Sequence, residues 1–91
     1  MNMDAMAEQI SGMDKVITSM NEIQADTTVP RNIRIRIESI ITSLKDNAEL
    51  QIKVNKALNE LDEISNDSNL ESYTRTQVWN VMSALEKCRF A

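Results

Sequence analysis

Shifted by 41 positions, the chain overlays itself. Between 22–45 and 63–86 the identities are Glu22/Glu63, Ile23/Ile64, Asp26/Asp67, Arg34/Arg75 and Leu44/Leu85; chance supplies only about one or two in such a window. Val29/Leu70, Ile37/Val78, Ile40/Val81 and Ile41/Met82 are conservative pairs, so the matches fall on apolar and turn positions. Each unit reads as helix, polar turn, helix, an αα-hairpin. A period near 40 is also that of helical arrays, but two units are fewer than such arrays use. Two hairpins alone bury their apolar faces by closing on each other. The expectation is an all-α fold, an antiparallel four-helix bundle built from two repeated αα-hairpins, as one domain over 1–91. Hairpin one would span about 4–45 and hairpin two about 47–88.

Local periodicity supplies the helices. Met3, Met6, Ile10, Met13, Ile17, Met20 and Ile23 recur at alternating spacings of three and four, an amphipathic helix. Gly12 lies inside it at a cost of about 1 kcal/mol relative to Ala. Ser11 to Asp14 could be a capping box that starts the helix later; the unbroken stripe favours the longer helix. A polar turn, Gln24 to Val29, precedes Pro30, which suits a first helical turn. Thr27 or Thr28 is the expected cap. Ile33-Arg34-Ile35-Arg36-Ile37 then alternates with period two, the pattern of a half-buried strand. Ile33, Ile37, Ile40 and Leu44 also share a narrow helical arc, and no other segment alternates to pair with a strand. A helix over 31–45 is therefore expected, with Ile35 on its outer face. Asp46 to Glu49 has capping-box spacing and should open a third helix, with Leu50, Val54, Ala57, Leu58, Leu61 and Ile64 inward. After a second polar turn, Ser65 to Asn69, a fourth helix carries Thr74, Val78, Val81, Met82 and Leu85 inward and frays near Arg89-Phe90-Ala91.

Composition narrows the function. One Gly and one Pro leave almost no turn chemistry for a β-sandwich or barrel. With no His and a single Cys, the chain lacks the Ser-His and Cys-His nucleophile pairs, most transition-metal ligand sets and any disulfide framework. The net charge of −4 opposes a dedicated nucleic-acid binder. No apolar run approaches the ~18 residues of a spanning helix, and Asp4 and Glu8 stand where a signal peptide carries positive charge. A lone Cys88 fits a reducing compartment. The expected setting is cytoplasmic, without membrane, cofactor or evident small-molecule substrate.

Three stretches, Asp26-Thr27-Thr28-Val29-Pro30-Arg31-Asn32-Ile33-Arg34, Leu61-Asp62-Glu63-Ile64-Ser65-Asn66-Asp67 and Arg75-Thr76-Gln77-Val78-Trp79, resemble the archaeal uncharacterised protein family zero-one-four-seven. The resemblance spans nearly the whole chain. It implies a small, all-helical, cytoplasmic archaeal protein and carries over no catalytic or binding residue. The N-terminal MNMDAM reads as an extension, and Ser68 stands where the family is expected to carry Pro.

Four carboxylates, Glu22 and Asp26 with their repeat equivalents Glu63 and Asp67, could hold a hard cation, with Asp62 adding to the second set. The simpler reading makes Asp26 and Asp67 turn-structuring residues that accept backbone N–H bonds. Arg31, Arg34 and Arg36 could contact phosphate, but on a helix Arg36 points away from Arg31. Arg34 has Glu38 four residues on, and Arg75 has Trp79 at the same offset for stacking. The Arg shared by both units reads as a hairpin fixture.

Trp79 lies at the edge of its apolar arc and should bridge core and surface. The methionines of the first helix read as core filling. Cys88 lacks the setting of a reactive thiol. Ile35 differs, because it shares the outer face with Arg31, Glu38 and Thr42. Those four form the candidate interface, Ile35 being the one large aliphatic residue the bundle does not require. The leading expectation is a non-catalytic protein-interaction module that binds a protein partner or itself as a homo-oligomer. The alternative is a nucleic-acid-associated accessory protein using Arg31, Arg34, Arg36 and Arg75.

Overall fold

The alternating isoleucines form a helix. In the computed structural model, which describes residues 3–89 with side chains over 12–88, there are four α-helices and, among the described residues, no strand. They are α1 (Met3–Ala25), α2 (Arg31–Leu44), α3 (Leu50–Ser65) and α4 (Ser72–Arg89). The longer first helix is the one observed. Met3, Met6 and Ile10 lie outside the residues whose side chains are described, as do the side chain of Arg89 and all of Phe90 and Ala91. In α2 the helical arc wins over the local alternation: Ile33, Ile37, Ile40, Ile41 and Leu44 are buried.

Two helix starts differ from expectation. Pro30 itself occupies the cap position of α2, with φ −53° and ψ 141° and no side-chain cap bond. Its carbonyl accepts the N–H groups of Ile33 and Arg34, each at 3.0 Å. Thr27 and Thr28 therefore do not cap the helix; Thr28 is drawn back to Asp26 instead. The expected box at Asp46 also fails. Glu49 occupies the cap position of α3, again without a side-chain cap bond. The Asp46 carboxylate accepts its neighbour's N–H, from Asn47 at 2.7 Å, and its carbonyl accepts from Lys53 Nζ at 2.9 Å. In both cases a short polar side chain closes a local loop before it can reach the helix.

α1 packs on α2 and α4, and α3 packs on the same two helices. The radius of gyration, 13.1 Å, is that of a compact chain of this length. Met20 and Ile23 from α1, Ile37 from α2, Leu61 and Ile64 from α3, and Val78 and Leu85 from α4 are wholly enclosed. Each such side chain contributes about 1.5–3 kcal/mol of transfer free energy. Val29 and Leu70, one from each turn, seal the core. At Gly12 a Cβ would lie 3.4 Å from Cys88 Sγ, so α1 and α4 approach closely there.

Candidate functional site

The outward side of α2 follows from its inward side. Once Ile33, Ile37, Ile40 and Leu44 face the core, the stripe at 31, 35, 38 and 42 faces away from it. Ile35 is 54% exposed on that stripe, and Arg31, Glu38 and Thr42 are exposed around it. Ile35, Glu38 and Thr42 line an open groove with Ser39, Ser43, Lys45, Asp46 and Lys56. Arg31 lies one turn before Ile35, outside that lining. The Thr42 hydroxyl donates to the Glu38 carbonyl at 3.1 Å, within its own helix.

Lys56 is a groove residue that sequence reasoning missed. It comes from α3, and the alignment of α3 against α2 is not written in either helix alone. A second omission was open to detection. Ile52 is 62% exposed, so Ile35 is not the one large aliphatic residue left outside. It sits two residues after Leu50, about half a turn off the stripe of Leu50, Val54, Ala57 and Leu61. Tyr73 is 70% exposed and Trp79 is 53% exposed, both on α4.

The arginines go elsewhere than their i+4 neighbours suggested. Arg34 Nε donates to the Val29 carbonyl at 3.1 Å rather than pairing with Glu38. Arg75 Nε donates to the Ser65 carbonyl at 2.8 Å, and its Nη2 donates to the carbonyls of Asp67 at 2.9 Å and Leu70 at 3.1 Å. These bonds turn Arg75 toward the interhelical turn. The ion pair found among the described residues is Arg36 to Glu63 at 2.7 Å, which ties α2 to the last turn of α3. Both side chains are partly solvated, so it contributes well under about 1 kcal/mol.

Each turn holds its aspartate in the same way. Asp26 Oδ1 accepts the N–H of Thr28 at 2.9 Å and its hydroxyl at 2.6 Å. Asp67 Oδ1 accepts the N–H of Asn69 at 2.8 Å. The backbone bonds correspond too: Asp26 N to Ile23 O and Val29 N to Asp26 O in the first turn, Asp67 N to Ile64 O and Leu70 N to Asp67 O in the second. Hydrogen bonds from the Thr28 hydroxyl and then its N–H, aided by the Arg34 charge, hold the Asp26 carboxyl below its ordinary value of 3.8. Among the described residues no three His, Cys, Asp or Glu side chains converge to hold a metal ion. Cys88 is buried, and burial pushes its thiol pKa up. No described helix is long and apolar enough to cross a membrane.

A family model, described as an uncharacterised protein family (UPF0147), matches residues 1–88. A UPF0147 protein of Methanocaldococcus jannaschii is 44% identical over 81% of this chain and 81% of its own length. Another from Archaeoglobus fulgidus is 35% identical over 93% of this chain and 95% of its own. The crystal structure of a protein of unknown function, MMP1188, superposes with a TM-score of 0.77 at 38% identity, covering 82% of this chain and 86% of that one.

Proposed function

Because the chain belongs to the uncharacterised protein family UPF0147, we propose a function from the surface itself: a non-catalytic protein-interaction module that presents the outer face of α2 to a protein. The observation that carries this reading is Ile35, 54% exposed at the edge of the groove while its neighbours Ile33 and Ile37 are buried. The missing His and the buried lone Cys88 favour a binding role over catalysis. That lone thiol suits a reducing cytoplasm.

The scaffold for this face is an antiparallel four-helix bundle of two repeated hairpins. Two contacts support the antiparallel order. Gly12 lies beside Cys88, far from both hairpin turns, and Arg36 meets Glu63 close to both. Both contacts favour a bundle with the turns at 26–30 and 66–71 at one end. The matching bonds of Asp26 and Asp67, and of Arg34 and Arg75, support a repeated unit and the turn-structuring role of the aspartates. Nucleic-acid binding is less favoured, since Arg34, Arg36 and Arg75 are each engaged within the chain.

The test is in-cell photo-cross-linking with a benzoylphenylalanine at Thr42. A protein adduct that Ile35→Glu abolishes is the expected result. No adduct, or an adduct with nucleic acid, would overturn the reading.

A further inference from the structure

We infer that the occupant of the α2 face is a second copy of this chain, joined through a two-fold axis at Ile35; this rests on the reading of that face as a protein contact surface. Charge is the first reason. The chain carries a net −4, so two copies repel each other overall. The groove lining sets Lys45 and Lys56 against Glu38 and Asp46, two cations to two carboxylates, and Arg31 stands one turn beyond it. All of the excess negative charge thus lies elsewhere on the chain, and two copies meet with least repulsion here.

The second reason is which charges are unengaged. Among the described residues, Arg34, Arg36 and Arg75 hold partners within the chain, whereas the Arg31 guanidinium and the Glu38 carboxylate hold none. These two charges flank Ile35, four residues before it and three after. Along a helix those offsets are about 6 Å and about 4.5 Å. Two α2 helices crossing antiparallel at Ile35 therefore bring Arg31 of one copy opposite Glu38 of the other, twice. The two-fold makes the contact self-complementary, with the Ile35 side chains meeting at its centre.

Size sets the strength. α2 has 14 residues, so it is about 21 Å long, and a contact along one such helix is at the small end of specific interfaces. The dimer is therefore expected to be a weak one.

Sedimentation equilibrium of the full chain up to about 500 μM tests this, on wild type, Ile35→Glu, Arg31→Glu, Glu38→Arg and the double reversal, with circular dichroism confirming the helices of each. The wild type should dimerise. Ile35→Glu and each single reversal should weaken the dimer by about tenfold or more, and the double reversal should recover most of that loss. A wild type that stays monomeric, a dimer indifferent to these changes, or a double reversal as weak as the singles would overturn the inference. A protein adduct other than the chain itself at Thr42 would leave the broader interaction reading standing while this one falls.

Discussion

Arg34 and Arg75 stand 41 residues apart, and each donates to the carbonyl five residues before it, Val29 for the first and Leu70 for the second. The carbonyls lie in the turns that join α1 to α2 and α3 to α4, so each arginine fastens its helix to the turn that precedes it. The two are unequal. Arg75 reaches two further carbonyls, those of Ser65 and Asp67, and thereby also grips the end of α3.

Arg75→Ala should therefore cost more than Arg34→Ala. Hydrogen bonds from a charged donor are worth about 1.5–3 kcal/mol, and the carbonyls left behind are part-buried at both residues, those of Ser65, Asp67 and Leu70 at Arg75 against that of Val29 alone at Arg34. Urea unfolding should give about 3–4 kcal/mol for Arg75→Ala and about 1.5 kcal/mol for Arg34→Ala. Equal losses would show that only the bond common to both turns matters.

The existence and faces of the helices were legible in the sequence because burial imposes a 3.6-residue period that survives local noise. Even Ile35 was placeable, since the arc of Ile33, Ile37 and Ile40 left it no inward position. What was not legible were competitions settled by a few ångströms. Thr28 had two acceptable roles, cap of α2 or ligand of the Asp26 turn, and the turn took it. Asp46 had the spacing of a cap yet bonded its nearest amide. Arg34 and Arg75 had suitable neighbours four residues on, but their targets depend on how each turn presents its carbonyls. Lys56 joined the groove through the register of α3 on α2, a property of the packed pair.

Asp67→Ala should destabilise the chain by about 1 kcal/mol, comparable to losing a helix cap, as read by thermal or urea unfolding. An unchanged midpoint would remove the aspartate from the turn's support.

Asp26 carries a pH signature. Its carboxyl is held below 3.8, chiefly by the Thr28 hydroxyl, so the ionised form is favoured in the folded chain. The stabilisation is complete above the unfolded value and is lost as pH falls through the lower folded one. The difference in Tm between wild type and Asp26→Ala should be constant from neutral pH down to about 5 and should close below about 4. A difference that widens with acid would reverse the sign and contradict the assignment.

The alternating isoleucines should respond in opposite ways. Ile37 is fully enclosed, and Ile37→Ala should lose about 2–5 kcal/mol to transfer and cavity terms. Ile35→Ala should change monomer stability by no more than about 0.5 kcal/mol, measured at low micromolar concentration.

Gly12→Ala should stabilise α1. The added methyl would sit 3.4 Å from Cys88 Sγ, in ordinary contact, while helix propensity improves by about 0.8–1.0 kcal/mol. A lower midpoint in urea would mean that α1 and α4 are already packed too closely for a methyl group.

The most direct test of the α2 face is methyl NMR of isoleucine-labelled protein between about 10 μM and 1 mM, a range chosen to bracket a small interface. The Ile35 methyl resonance should shift with concentration while those of buried Ile33, Ile37 and Ile40 hold still. An Ile35 resonance that stays fixed over the whole range, or a shift confined to the exposed Ile52 on α3, would contradict the account.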